Sequence, residues 1–105
     1  MGAAEVEIRD RAADSLVEIE RLDVRRLFGG FGFYIDGLLV AAAWHGAFRL
    51  RYREDGHWVY RTVDDSAIDE PSVLVAQVRD RAAKLSQEPD ARRPRRAGSA
   101  TSPGP

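Results

Sequence analysis

Residues 27–37, LFGGFGFYIDG, decide how this chain is read, because four glycines set among aromatic residues either cradle a phosphate or shape a sheet. A dinucleotide site needs G-x-G-x-x-G opening a helix after a strand, and a P-loop needs G-x-x-x-x-G-K-[ST]. Here Gly30 and Gly32 are followed by Phe33, Tyr34 and Ile35, so the third glycine is missing and the continuation is strand-like. The glycines are therefore read as structural. Gly29 and Gly30 permit a bulge or a sharp bend between the apolar runs VRRLF and FGFYI, since backbone without a Cβ tolerates positive φ and close approach. Asp36-Gly37 is a two-residue hairpin turn. No cofactor is expected.

Outward from this stretch, His45-Gly46 and Asp55-Gly56 repeat the turn signal, and the runs between them are short and rich in aromatic and β-branched residues. The middle of the chain reads as an antiparallel meander of four to five strands. Upstream, AAEVEIRDRAADSLVEIERL spaces Val6, Ala13, Leu16, Ile19 or Val17, and Leu22 at near-helical intervals. Downstream, DEPSVLVAQVRDRAAKL brings Leu74, Val78, Ala82 and Leu85 to one side of a second helix. Asp69 is its expected cap, Pro71 suits its first turn, and Gln77, Arg81 and Lys84 form its wet side. The expected fold is α+β, a single domain over residues 1–85 with the meander flanked by an N-terminal and a C-terminal helix.

Composition agrees with a domain of this kind. The chain has 105 residues, 44% hydrophobic and 31% charged, enough for one modest core. No cysteine is present, which excludes disulfides and thiolate metal sites and fits a reducing, cytoplasmic setting. No basic leader precedes an apolar run, and no stretch approaches the length of a membrane span, so no membrane association is expected. Arg92, Arg93, Arg95 and Arg96 against Glu88 and Asp90 put the last stretch at +2, which leaves residues 1–87 at −3 of the overall −1. Residues 86–105 also hold four of the five prolines and almost no large apolar side chain, the composition of a disordered tail.

Two-residue turns also set which side chains share a sheet face. Counting from Asp36-Gly37 and His45-Gly46, one face receives Gly32, Tyr34, Leu39, Ala41, Ala43, Phe48, Leu50 and Tyr52, and is read as the core. The other receives Phe31, Phe33, Ile35, Leu38, Val40, Ala42 and Trp44, running into Arg49, Arg51 and Arg53. That second face is too apolar for bare solvent. Phe31, Phe33, Val40, Trp44, Arg49 and Arg51 are accordingly the candidate interaction face, for a protein partner or a second copy of the chain. Nucleic acid is the alternative partner, stacked on Phe31, Phe33 and Trp44 with the tail as an anchor, and the acidic body counts against it.

Catalytic patterns are weak by comparison. His45 and His57 are twelve residues apart on turn-like segments, unlike the i, i+4 pair of a helical metal site. Ser15, Ser66 and Ser72 sit in helical or capping contexts without a nucleophile elbow. Asp64-Asp65 and Asp69-Glu70 read as turn and capping residues rather than as an acid and base pair. No catalytic or metal site is expected.

Arg26, Phe28, Gly29, Gly30, Gly32, Tyr34, Asp36 and Gly37 form a pattern that resembles the R-x-M-F-G-G-x-G-L-Y-x-D-G signature of the N-terminal domain of TfoX/Sxy competence regulators. The resemblance extends over residues 21–85, through Leu39-Val40-Ala41, the segment 45–51, an aromatic strand around Tyr60 and the helix after Pro71. It implies a small α+β domain without known catalytic machinery, which regulates competence genes through other proteins. His45 departs from the acidic turn residue of that family, and Arg49 and Arg51 replace an aromatic residue and a lysine. The regulators also carry a second, helical domain where this sequence has its Pro/Arg-rich tail, so the competence role itself does not follow.

Overall fold

Asp36, His45 and Asp55 adopt φ of 53°, 52° and 50°, and the glycines after them 80°, 71° and 77°. Positive φ at both central positions is the type I′ turn, whose twist matches that of the strands it joins. The turns connect four of the five strands in a computed structural model that describes residues 3–27, 29–89 and 91. The strands are β1 (Leu22–Leu27), β2 (Gly30–Ile35), β3 (Leu38–Trp44), β4 (Ala47–Glu54) and β5 (His57–Thr62), preceded by α1 (Ala3–Ser15) and followed by α2 (Asp65–Ile68) and α3 (Pro71–Leu85). They form one antiparallel sheet in sequence order. The α+β meander between two helices is thus the observed fold, with α2 as a short element that sequence periodicity does not reveal.

Glycine decides the β1 to β2 connection. Leu27 pairs with Gly30, and a Cβ on Gly30 would overlap the carbonyl oxygen of Ala43 on β3. Gly29, in the turn, has open space around its Cβ direction. Close approach of two backbones is therefore what Gly30 permits. Phe28 lies outside the described residues.

The sheet faces differ from simple parity, and one residue explains it. Phe33 pairs with Ala41 and Tyr34 with Leu39, so Val40 has no residue opposite it. This is a β-bulge, which puts two consecutive side chains on one side of the sheet. Val40 and Ala41 are both fully buried. Every position of β2 and of β3 before the bulge is thereby shifted to the opposite face from that expected. Phe31, Phe33, Ile35, Leu38 and Val40 join Ala41, Ala43, Phe48 and Leu50 in the core, while Tyr34 and Leu39 lie on the other side. Phe33 meets Phe48 edge to face at 5.1 Å. Burying each ring contributes about 1.5–3 kcal/mol, with a further ~0.5–1.5 kcal/mol for the pair.

Both long helices cover this core face. Arg9 of α1 lies over Phe31 at 4.5 Å and Arg81 of α3 over Tyr52 at 3.8 Å. α1 is shorter than its periodicity implies, because residues 16–21 turn back toward β1, with the Ile19 and Leu22 amides donating to the carbonyls of Leu16 and Ile19. Its inward side chains are Ile8, Ala12 and Ser15, continued by Leu16 and Ile19, while Val17 is 82% exposed. On α3, Leu74, Val75, Val78 and Leu85 are buried, and Arg81, expected on the wet side, is only 7% exposed. An arginine is accommodated there because its stem crosses apolar surface and its guanidinium stacks on Tyr52. Gln77 is half-buried on the same helix.

Asp69 does not cap α3. Glu70 holds the cap position without a side-chain hydrogen bond, and Arg11 takes Asp69 instead at 2.6 Å, together with Asp65 at 3.2 Å. Those hydrogen bonds hold the Asp69 carboxyl below the usual carboxylate range. The Ser15 hydroxyl donates to the Ile68 carbonyl at 2.5 Å, and the Gly46 amide donates to Glu5 at 2.7 Å, tying α1 to α2 and to the β3–β4 turn. Ala91 is buried and its carbonyl accepts from Arg51. Of the expected disordered tail, residue 90 and residues 92–105 lie outside the described residues. No helix among the described residues is long and apolar enough to cross a membrane.

Candidate functional site

With both long helices on one side, the opposite face of the sheet carries no helix, although Ala91 reaches Arg51 on it. Alternation along β4 sends Arg49, Arg51 and Arg53 to it, and their partners on β5 are Thr62, Tyr60 and Trp58. From β3 come Ala42 and Trp44, and from β2 Gly32 and Tyr34. The centre of this face has its own small packing layer: a Cβ on Gly32 would meet Leu27, Tyr34 and Leu39 side-chain atoms at 2.9–3.0 Å.

Cations and rings alternate here. The Arg51 guanidinium lies 3.8 Å and that of Arg53 4.5 Å from the centre of the Trp58 ring. Trp44 stands edge-on to Tyr60 at 6.2 Å and leans on His45 at 4.3 Å. All four aromatic residues, Tyr34, Trp44, Trp58 and Tyr60, are half-buried. Trp58 also touches the buried cluster.

The arginines are held by neutral oxygens. Arg49 donates to the carbonyls of Trp44 (3.0 Å) and His45 (3.3 Å) and to the Thr62 hydroxyl (2.9 Å). Arg51 donates to the carbonyls of Leu39 (3.0 Å) and Ala91 (3.2 Å), while its Nε has no partner among the described residues. The β3–β4 ladder ends at Ala41 and Leu50, which leaves the Leu39 carbonyl for this guanidinium. Burial lowers the pKa of Arg51 and raises that of Tyr60 beside it. Neither Arg49 nor Arg51 has a carboxylate partner among the described residues.

Charge is segregated across the molecule. On the open face the strands carry Arg25, Arg49, Arg51 and Arg53 against Asp23, which pairs with Arg25 at 2.6 Å. The helical layer and its connections carry Glu5, Glu7, Asp10 and Asp14 on α1, Glu18 and Glu20 after it, Asp64, Asp65, Asp69 and Glu70 around α2 and Asp80 on α3, against Arg9, Arg11, Arg21, Arg79, Arg81 and Lys84, so that layer is net acidic. The acidic body and a cationic sheet face therefore coexist.

Of the six residues expected on an interaction face, Trp44, Arg49 and Arg51 are on the open one. Phe31, Phe33 and Val40 are 6%, 0% and 0% exposed and belong to the core, a correction forced by the bulge at Val40. Trp58 and Tyr60 were missed, although counting across the Asp55-Gly56 turn places them beside Arg53 and Arg51. In the glycine-rich signature, Gly30 and Gly32 are packing positions, Asp36 and Gly37 form the turn, Tyr34 reaches the open face under Arg25 at 5.5 Å, and Arg26 is exposed opposite Phe31.

His45 and His57 lie at opposite ends of β4 and are not brought together. Among the described residues, no group of three or more His, Cys, Asp or Glu is placed to hold a metal ion. The Ser66 hydroxyl is engaged with Asp64 at 3.2 Å. No family model, curated protein or solved structure matches this chain.

Proposed function

We propose that this chain is a non-enzymatic regulatory interaction module whose working surface is the open sheet face. The observation that carries the reading is that Arg49 and Arg51, held among the described residues by neutral oxygens, lie among half-buried Trp44, Trp58 and Tyr60 on a face that neither long helix covers. Tryptophan, tyrosine and arginine are the residue types that dominate binding surfaces. The resemblance of residues 26–37 to the TfoX/Sxy N-terminal signature supports a regulatory role exercised through other proteins in the cytoplasm. A protein occupant and a nucleic-acid occupant both satisfy this reading.

The test is comparative affinity purification from the native cell with the intact chain, a Trp44→Leu/Arg49→Glu variant and a Glu7→Lys/Asp14→Lys variant of the helical layer. Circular dichroism establishes that each is folded. A partner kept by the chain and by the helical-layer variant but lost by the sheet variant supports the proposal. Equal recovery by all three, or loss only from the helical-layer variant, overturns it.

A further inference from the structure

We infer that the open sheet face is a stacking platform for single-stranded nucleic acid, an inference that rests on reading this face as the working surface. Three observations converge on that occupant. First, Arg49, half-buried on this face and without a carboxylate partner among the described residues, favours an anionic partner, and the helical layer, with eleven carboxylates against Arg9, Arg11, Arg21, Arg79, Arg81 and Lys84, is net acidic and disfavours the same partner on the other side. A polyanion is thereby directed to one face.

Second, half-buried rings are set out across the sheet. Trp44 and Tyr60 are 6.2 Å apart on β3 and β5, and Trp58 follows two residues before Tyr60 on β5. Alternate residues of a strand repeat at about 6.6 Å, so rings and cations recur along the sheet at a spacing that successive nucleotides can follow. Base stacking on such rings tolerates any sequence, because every base has a π-face. Third, Arg51 and Arg53 already stack on Trp58, which shows that the surface accepts planar cations and rings in one layer. Arginine planes stack on bases in the same manner.

Both tryptophans of the chain, Trp44 and Trp58, are on this face, which makes the inference directly readable. The probe is a fluorescein-labelled 12-nucleotide oligothymidylate, with a 12-base-pair duplex and a labelled oligoglutamate peptide alongside it, titrated into the full chain. Binding is followed by anisotropy, and unlabelled strand by quenching of tryptophan emission. The single strand is expected to bind more tightly than the duplex and to quench the tryptophans. Two phosphate contacts imply affinity falling about 7-fold between 50 and 200 mM salt. Trp44→Leu is expected to weaken binding at least ~5-fold, as loss of one stacked base does. Where Trp44→Leu does not fold, Tyr60→Leu reads the same platform from β5.

Replacing Arg92, Arg93, Arg95 and Arg96 by glutamine separates the face from the tail. Retained quenching in that variant supports the platform. Binding that vanishes with the tail arginines yet is unchanged by Trp44→Leu overturns it, as does the absence of oligonucleotide binding at 50 mM salt. If oligoglutamate binds in a Trp44- and Arg49-dependent way while oligonucleotides do not, the nucleic-acid inference fails and the working surface stands.

Discussion

Gly30 has no room for a methyl group, because its Cβ direction runs into the Ala43 carbonyl, a backbone atom that cannot rotate away. Gly29 beside it has open space. Gly30→Ala is therefore expected to lower stability by ~2–3 kcal/mol in urea denaturation, and Gly29→Ala to stay within ~0.5 kcal/mol. Equal losses at the two positions would show that turn flexibility, not the strand crossing, is what the pair provides. Gly32 is a softer case, because the atoms a Cβ would meet belong to the side chains of Leu27, Tyr34 and Leu39. Arg51 shows a different economy of position: nearly all its surface is buried, its Nε is unpartnered among the described residues, and two carbonyls and the Trp58 ring compensate the desolvated charge.

Each hairpin of the meander is specified by its own two residues, so the strand ladder is a local construction to a large degree. Gly46 and Gly56 have φ of 71° and 77° with nothing near their Cβ directions. Replacing either by alanine is expected to cost ~1 kcal/mol from backbone conformation alone, measured by thermal melting. A neutral result would mean that the turn relaxes to another type without disturbing the register. The turn pairs, the aromatic strands and the later helix after Pro71 were all legible in the residues. Less legible was the end of α1: the periodic run continues to Leu22, but the chain leaves the helix after Ser15 so that Leu16 and Ile19 can enter the core.

Two charged clasps join separate parts of the molecule and give it a predictable acid limb. Arg11 of α1 lowers the pKa of Asp69 by hydrogen bonding, and Arg61 of β5 does the same to Glu54 of β4. A carboxylate with a depressed folded pKa stabilises the fold above its unfolded value near 4 and loses that contribution as pH falls through the folded value. The melting temperature is thus expected to decline below about pH 4, and Arg11→Gln should flatten part of that decline while lowering the neutral-pH value. Parallel pH profiles for the two proteins would show that the clasp is not linked to folding. The net acidity of the helical layer against the arginines of the opposite sheet face is the charge asymmetry on which the proposed binding surface rests.

Residue order alone determined the glycine turns, the run of strands, the helix after Pro71 and the arginine row of β4. These are local matters, set by φ preferences, by a missing Cβ and by side-chain alternation over a few residues. Only the tertiary structure decided which face of the sheet is the core. Alternation inverts at a single unpaired residue, and nothing in Leu38-Leu39-Val40-Ala41 marks Val40 as that residue, because all four side chains are apolar and suit either face. The bulge is selected by the helices, whose apolar sides need Phe33, Val40 and Phe48 together beneath them, and this long-range packing leaves Trp44, Tyr60 and the arginines facing outward.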